Sequence, residues 1–240
     1  MKTKQLRISG IILVISLLFS SCLFLGLSIK GDGNVTEETR SVKEFDQIKV
    51  SRGMNVYITQ GSPMKVVVIA DNNLHKVIKT EIEGGVLKIL VDKNIRSATE
   101  KKVMVTIEKL TAVKATSGSN VYSQNQLMVD NMELSANAGS NLNMDVNAKY
   151  LKAECSSGAN IKLSGLAKKA ELEGSSGANL KGQELKADHG IMRASSGGNV
   201  FASVIEQLEA KASSGGNIVY YGKPVSTETK SSSGGNISGR

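Results

Sequence analysis

Two neighbouring carboxylates are the strongest candidates for catalysis in this sequence, because acid–base and metal-assisted reactions need carboxylates grouped on one face. Glu154 and Glu173 occupy equivalent positions in successive copies of a repeat, and Arg193 follows in the next copy. One acidic pair beside a base indicates a ladder of surface charges rather than a catalytic dyad. His75 and His189 are far apart and have no partner at metal-ligand spacing, so exposed turns are their expected location. We therefore predict no catalytic residue, no metal site and no cofactor.

Other signatures of chemistry are missing from the chain. It contains no Gly-x-Ser-x-Gly elbow, no phosphate-binding loop and no dinucleotide fingerprint. Its net charge of +8 comes from scattered lysines and arginines, without the arginine cluster or aromatic platform of a nucleic-acid-binding surface. The sequence predicts no nucleic-acid partner and no enzymatic activity. A carbohydrate-active enzyme is the alternative, since some β-helical proteins cleave polysaccharides or esters.

The two cysteines indicate different roles. Residues 1–21 combine a short basic segment with an apolar stretch, as in a bacterial signal peptide, and Leu18-Phe19-Ser20-Ser21-Cys22 resembles a lipobox. Cleavage there would make Cys22 the lipidated first residue of the mature protein. The alternative is an uncleaved anchor, because the apolar run continues to Ile29 and reaches membrane-spanning length. Cys155 falls among small residues of the repeat, which predicts a buried and inert thiol.

A repeat of 18 to 21 residues organises the second half of the chain. Each of seven copies contains glycine, one variable residue, asparagine and then an aliphatic residue. Because glycine adopts positive φ without steric cost, and asparagine is the next most tolerant residue, Gly-x-Asn predicts a tight corner. The predicted structural ladder consists of Asn120, Asn141, Asn160, Asn179, Asn199, Asn217 and Asn236, with the corner glycines Gly118, Gly139, Gly158, Gly177, Gly197, Gly215 and Gly234.

The residues flanking each corner alternate between apolar and polar, which is the period of a strand. Self-similarity at this spacing is typical of a solenoid, whose stacked coils bury an aliphatic column and bond their asparagines from coil to coil. A coil of 19 residues has a perimeter of about 60 Å, room for three short strands and three corners. We therefore predict an all-β fold, a parallel β-helix-like solenoid with coils of about 19–20 residues.

The N-terminal half is less regular. Residues 45–58 repeat the same pattern around Asn55, so the first coil is expected there. The 65 residues between Asn55 and Asn120 leave room for about three coils with insertions. We divide the chain into a signal peptide at 1–21, a tether at 22–40, an N-terminal β region with irregular coils at 41–110 and the regular β-helix at 111–240.

Several of these segments together resemble a known family. They are residues 31–35, residues 45–56, the strand Val86-Leu87-Lys88-Ile89 and the Gly-Gly-Asn-Ile repeats. They are similar to the putative auto-transporter adhesin head GIN domain family, over residues 31–240. The resemblance implies an all-β, β-helical fold and an envelope location, commonly in Bacteroidetes. Two features differ: no membrane β-barrel follows the repeats, and no acidic run follows Cys22.

The predicted function is structural or adhesin-like binding by a cell-envelope lipoprotein, held at the outer membrane by its N-terminal lipid. The partner would be a glycan or an envelope protein. A periplasmic accessory protein is a further alternative. Packing between adjacent coils is the expected role of Phe201, Tyr220 and Tyr221, and a small sugar-stacking patch is the alternative. Because no bulky residue covers Ile237 in the final copy, we also expect weak homo-oligomerisation.

Overall fold

The computed structural model describes residues 28–240 of the chain. The predicted signal peptide and the lipidation site at Cys22 lie outside the described residues. The described chain forms strands and one short 3-10 turn, Asn72–Leu74. The strands are β1 (Ile29–Lys30), β2 (Val35–Arg40), β3 (Gln47–Val50), β4 (Asn55–Gln60), β5 (Lys65–Asp71), β6 (Ile78–Glu83), β7 (Val86–Val91), β8 (Ile95–Ser97), β9 (Lys101–Ile107), β10 (Ala112–Ala115), β11 (Asn120–Ser123), β12 (Leu127–Ala136), β13 (Asn141–Cys155), β14 (Asn160–Gly174), β15 (Asn179–Ala194), β16 (Asn199–Ala212), β17 (Asn217–Tyr221), β18 (Ser226–Ser231) and β19 (Asn236–Gly239).

The repeat folds into a parallel solenoid, which confirms the predicted fold class. Strands β13, β14, β15 and β16 are 14 to 16 residues long, and each pairs in parallel with the next. The coil differs in one respect from the predicted three short strands. Only the Ser-Gly corner is a turn, whereas the other bends lie within continuous strands. In β14 they coincide with breaks in the alternation of burial at Gly165–Leu166 and Lys168–Lys169.

The core of the solenoid consists of columns, in each of which equivalent residues of successive coils pack on one another. The residue after each asparagine packs on its equivalent in the next coil, as Val121 does on Leu142 and Leu142 on Ile161, and all three are buried. Small residues such as Ala136, Cys155 and Gly174 form another buried column. The solenoid therefore gains its hydrophobic stability from many medium-sized side chains without a bulky aromatic centre.

The N-terminal half extends this stack by a different construction. Strands β3 and β4 pair directly with β10 and β11, so Asn55 lies beside Asn120. The expectation of about three coils between these residues was wrong. The intervening chain instead continues two faces of the solenoid as sheets: β7 and antiparallel β6 extend β3, and β9 and antiparallel β5 extend β4. Antiparallel pairs need only short connections, so the segment covers the end of the core without completing a coil.

The predicted tether at 22–40 is also partly folded. Strand β2 pairs antiparallel with β5 along its whole length, from Val35 opposite Asp71 to Arg40 opposite Val66. Its polar sequence had suggested a linker, but exposed charged side chains are equally typical of a strand at the edge of a sheet. Upstream of β2, strand β1 pairs with β8.

Candidate functional site

The predicted ladder residues lie side by side along the solenoid. Asn55 and the seven repeat asparagines are paired in register, each with the next coil. In six of these steps the side-chain Nδ2 donates to Oδ1 of the preceding asparagine, at 2.8 to 3.2 Å. Most of these side chains are half-buried, so the ladder satisfies amides that water reaches poorly.

The corner before each asparagine uses two residues with positive φ. All seven corner glycines lie in this region, and so does the residue before each of them, as in Ser157 (φ 52°) and Gly158 (φ 68°). This left-handed pair brings the N–H of Ala159 to the carbonyl of Ser156, at 3.1 Å. The same geometry points backbone groups along the axis, and Gly158 N–H donates to the carbonyl of Ser176 in the next coil at 3.1 Å. The sequence predicted positive φ for the corner glycine but not for the serine or alanine that precedes it.

An outward row next to the asparagine ladder carries the most promising binding groups. Its members are two residues after the asparagine in successive coils and are paired in register. We name it the tyrosine–lysine row, and it consists of Tyr57, Tyr122, Asn143, Lys162, Lys181 and Phe201. The rings of Tyr57 and Tyr122 stack at a centroid distance of 5.2 Å with 20° between their planes.

The row has the chemistry of a recognition surface for an extended polar molecule. Aromatic rings are half-buried at its two ends, whereas Asn143, Lys162 and Lys181 are exposed between them. Lys162 forms an exposed ion pair with Glu184 at 3.0 Å, which a ligand can displace at little cost because such pairs contribute little stability. Adjacent members are about 4.8 Å apart, the spacing of paired strands.

The aromatic residues Phe201, Tyr220 and Tyr221 were expected to pack between coils rather than to form a sugar-stacking patch. Tyr220 packs against the hydrophobic core, and Val219, which follows Phe201 in the row, is buried. The stacked pair lies at the opposite end of the row. The stacked pair could have been found from the sequence by aligning the first coil on Asn55, because Tyr57 follows Asn55 at the same spacing as Tyr122 follows Asn120.

The carboxylates considered for catalysis belong to another side of the coil. Glu154 pairs in register with Glu173, and Glu173 with Arg193. Lys152 Nζ, in the same strand, lies 2.7 Å from a carboxylate oxygen of Glu154, so basic side chains flank this acidic pair. The described part of the chain gathers no group of three or more His, Cys, Asp or Glu side chains that could hold a metal ion.

The two histidines are also separate in the structure. His189 is exposed, as expected, but it lies within strand β15 and not on a turn, with 3.6 Å between its Nε2 and the carboxylate of Glu206. His75 was expected on an exposed turn, and this was wrong because it is 8% exposed. Its Nε2 lies 3.0 Å from Thr36 Oγ1, and Arg40 Nη2 donates to its carbonyl, so it joins β2 to the 3-10 turn.

Comparison with known proteins identifies similar folds and one matching family. The family model described as "Putative auto-transporter adhesin, head GIN domain" matches residues 44–224. No curated protein matches the chain in sequence. A crystal structure of a putative adhesin from Bacteroides fragilis has a TM-score of 0.82 at 20% identity, covering 89% of this chain and 100% of the other.

Two further crystal structures share the fold. One is a putative lipid binding protein from Parabacteroides distasonis, with a TM-score of 0.73 at 19% identity. The other is a putative adhesin from the same species, with a TM-score of 0.70 at 23% identity. Each covers 89% of this chain and is itself covered over 100% of its length. Residues 28–240 include no apolar helix of membrane-spanning length.

Proposed function

This chain belongs to the putative auto-transporter adhesin head GIN domain family, and from that premise we propose that it is a non-enzymatic adhesin of the bacterial cell envelope. It binds its partner through the tyrosine–lysine row, and a lipid on Cys22 holds it at the outer membrane. The observation that supports the binding role most directly is the stacked pair of Tyr57 and Tyr122, at 5.2 Å, at one end of the row.

The partner we propose is a glycan. A ring face packs against the apolar face of a sugar, while amide and ammonium groups donate to hydroxyl or carboxylate oxygens. The row offers rings at its ends and the donors Asn143, Lys162 and Lys181 between them. Because one such group recurs about every 4.8 Å, an extended chain lying along the axis would meet several of them at once. An envelope protein is the second partner class that this surface fits.

Binding can be tested with residues 28–240 on arrays of purified glycans and of envelope proteins. We expect binding to glycans, reduced about tenfold or more when Tyr57 and Tyr122 are both replaced by alanine, since aromatic anchors dominate such surfaces. Tyr150→Ala is the matched control, because Tyr150 is a half-buried aromatic residue on another side of the coil. Equal losses from both changes would contradict a site at the row, and binding to proteins alone would exclude the glycan.

The same glycans test the enzymatic alternative. We expect every bound glycan to be recovered at its original length after prolonged incubation. If shortened products appear and Glu154→Gln or Glu173→Gln prevents them, the protein is an enzyme and the proposal of a purely adhesive role fails.

The proposed anchor at Cys22 is tested by mass spectrometry of the mature protein from membranes. We expect cleavage after Ser21 and acyl groups on Cys22, with Cys22→Ser accumulating uncleaved and without acyl groups. An intact N-terminal Met1 in the wild-type protein would instead indicate a retained anchor. Residues between Cys22 and β1 would form the remaining tether.

A further inference from the structure

A cationic pocket lies at the N-terminal end of the solenoid. Its volume is about 380 Å³, and its lining includes Arg52, Lys93 and Lys101 together with the single carboxylate of Asp92. That carboxylate is directed to another lysine, Lys79, at 3.5 Å. The pocket therefore has three positive side chains and little negative charge of its own.

Arg52 is held at the pocket by the corner of the first coil. It occupies the positive-φ position, at 58°, that serine or alanine occupies in the other coils, and Gly53 follows at 69°. Its Nη1 donates to the carbonyl of Val91 at 2.8 Å. Because a guanidinium has five N–H groups in a rigid fork, this contact fixes the side chain while leaving donors for an anion.

Lys101 contributes a positive charge without a balancing carboxylate. Among residues 28–240, no carboxylate lies at ion-pair distance from its Nζ, although the side chain is half-buried. Burial lowers the pKa of Lys101. Lys102 and Lys169 show the opposite behaviour, because hydrogen bonds to Glu100 and Glu171 raise the pKa of each ammonium. An anion in the pocket would compensate Lys101 in the same way.

We propose that this pocket binds a phosphate group, and that the phosphate belongs to an anionic lipid headgroup. Arginine and lysine together supply the forked and single-point donors that phosphate oxygens accept. Inorganic phosphate has the same chemistry and is the alternative source.

The position of the pocket in the fold favours the lipid. Strand β8, which begins at Ile95 in the pocket wall, pairs with β1, and Ile29 N–H donates to the carbonyl of Asn94 at 2.8 Å. The described chain therefore enters from its N-terminal leader beside the pocket. Cys22 precedes Ile29 by seven residues, which span at most about 25 Å. A lipid on Cys22 would thus bring the pocket near the membrane surface. The assignment of the phosphate to a lipid headgroup therefore rests on the proposed function, whereas phosphate binding by the pocket does not.

The binding experiment uses residues 28–240, which lack Cys22, so that failure of lipidation cannot affect the result. We expect sedimentation with vesicles of phosphatidylcholine and phosphatidylglycerol, and none with phosphatidylcholine alone. Replacing Lys93 and Lys101 by glutamine should weaken this binding roughly thirtyfold, since each basic residue near an anionic surface contributes about a factor of five. The same double change at Lys168 and Lys186, two exposed lysines of the regular coils, removes equal charge and should weaken binding much less.

Three results would overturn the proposal. Equal losses from the two double variants would show non-specific charge attraction. Equal binding to both kinds of vesicle, or to neither, would exclude a site for anionic lipid. Saturable binding of inorganic phosphate that requires Lys101, without vesicle binding, would exclude the lipid as source. Thermal unfolding of each variant confirms that its fold is intact. If the Lys93 and Lys101 double variant does not fold, Lys93→Gln alone is tested in its place, because Lys93 is exposed.

Discussion

At the scale of single residues, Cys155 is a small buried side chain that packs in the core and has an unreactive thiol. It is 2% exposed in the small column between Ala136 and Gly174, and burial raises the pKa of its thiol to about 11. The thiolate is the reactive form, so the fraction available at neutral pH is very small. Sequence reasoning predicted this role because the equivalent residues of other coils are small.

We predict that Cys155 does not react with iodoacetamide at pH 8 in the folded protein and reacts fully in denaturant. Ser176→Cys, at an exposed corner, provides a control that should react within the same protein preparation. Labelling of Cys155 at a rate close to that of the introduced cysteine would show that the interior opens readily.

Substitution of a corner glycine is expected to change stability through backbone strain and not through steric contact. Gly177 has φ +70°, and a Cβ built on it would meet no atom within 4 Å. We predict that Gly177→Val lowers the free energy of unfolding by about 1–3 kcal/mol, because a β-branched residue is strained at positive φ. Ser176→Asn should be neutral or stabilising, since asparagine tolerates the φ of 50° found there.

Chemical denaturation checks both changes. Lys181→Val is the control, because valine suits this exposed strand position and should alter stability by less than about 0.5 kcal/mol. An unchanged Gly177→Val protein would mean that the corner can adopt another backbone conformation.

The glycine of each corner could be predicted from sequence, whereas the serine could not. Glycine indicates positive φ because it has no Cβ and adopts such angles readily, but Ser157 and Ser176 have no intrinsic preference for positive φ. Their conformation is imposed by the stack, where the carbonyl of Ser176 must meet the N–H of Gly158 in the preceding coil. The asparagines, expected to share the strain, are instead the first residues of strands.

At the scale of elements, Asp71 joins the N-terminal segment to the rest of the fold. Its carboxylate, 1% exposed, accepts hydrogen bonds from the backbone N–H groups of Gly33, Thr99 and Glu100, at 3.1 to 3.4 Å. The chain passes so close that a Cβ on Gly31 would lie 1.7 Å from Asp71 Oδ2. Only glycine fits there, and β1 and β2 are held on either side of this contact.

This carboxylate makes part of the stability depend on pH. Burial by itself would raise the pKa of Asp71, but the hydrogen bonds from Thr99, Glu100 and Gly33 outweigh it and lower the pKa below its ordinary value. A group with a lowered folded pKa stabilises the protein above its unfolded pKa, about 3.9 for aspartate. That contribution is lost as pH falls through the lower folded pKa.

We predict that Asp71→Asn lowers the free energy of unfolding by about 1–3 kcal/mol at neutral pH, because one part-buried backbone N–H loses its acceptor. The difference from wild type should shrink below about pH 4. Thermal unfolding from pH 7 to pH 2 measures it, with the exposed Asp92→Asn as control. A difference that stays constant with pH would show that the carboxylate is not charged in the folded state.

The pairing of the N-terminal strands was the least predictable part of the fold. The strand at residues 86–89 could be recognised from the sequence, but its partners could not. One local signal was available: Gly84-Gly85, both with positive φ, form the two-residue turn that makes β6 and β7 a hairpin. No comparable signal marks the antiparallel pairing of β2, β5 and β9, which joins residues far apart in the chain.

At the scale of the whole molecule, each position of the repeat recurs along one side of the solenoid. Equivalent positions of successive coils form rows, so one side presents the tyrosine–lysine row and another the paired charges around Glu154. The cationic pocket lies where the regular coils give way to the N-terminal sheets. A protein attached at that end would project its repeats, and with them the row, away from the attachment point.

The last described coil presents exposed strands at the far end of the solenoid. Within residues 28–240, β18 and β19 pair only with the preceding coil. The inward residues of β18 change to Thr227 and Thr229, opposite Leu208 and Ala210, and this polarity limits the apolar surface at the edge. Ile237 continues the aliphatic column there and is half-buried. Unpaired strand edges of this kind are templates for pairing with a second chain.

We predict weak self-association of residues 28–240 through this coil, seen by light scattering as a mass that rises with protein concentration. Ile237→Lys should abolish the rise, because it places a charge on the exposed end of the aliphatic column. Ile205→Lys is the matched control, since Ile205 is 49% exposed on the side of the coil and should leave the association unchanged. A constant monomer mass at high concentration would refute self-association and would show that the polar residues of β18 are sufficient to protect the edge.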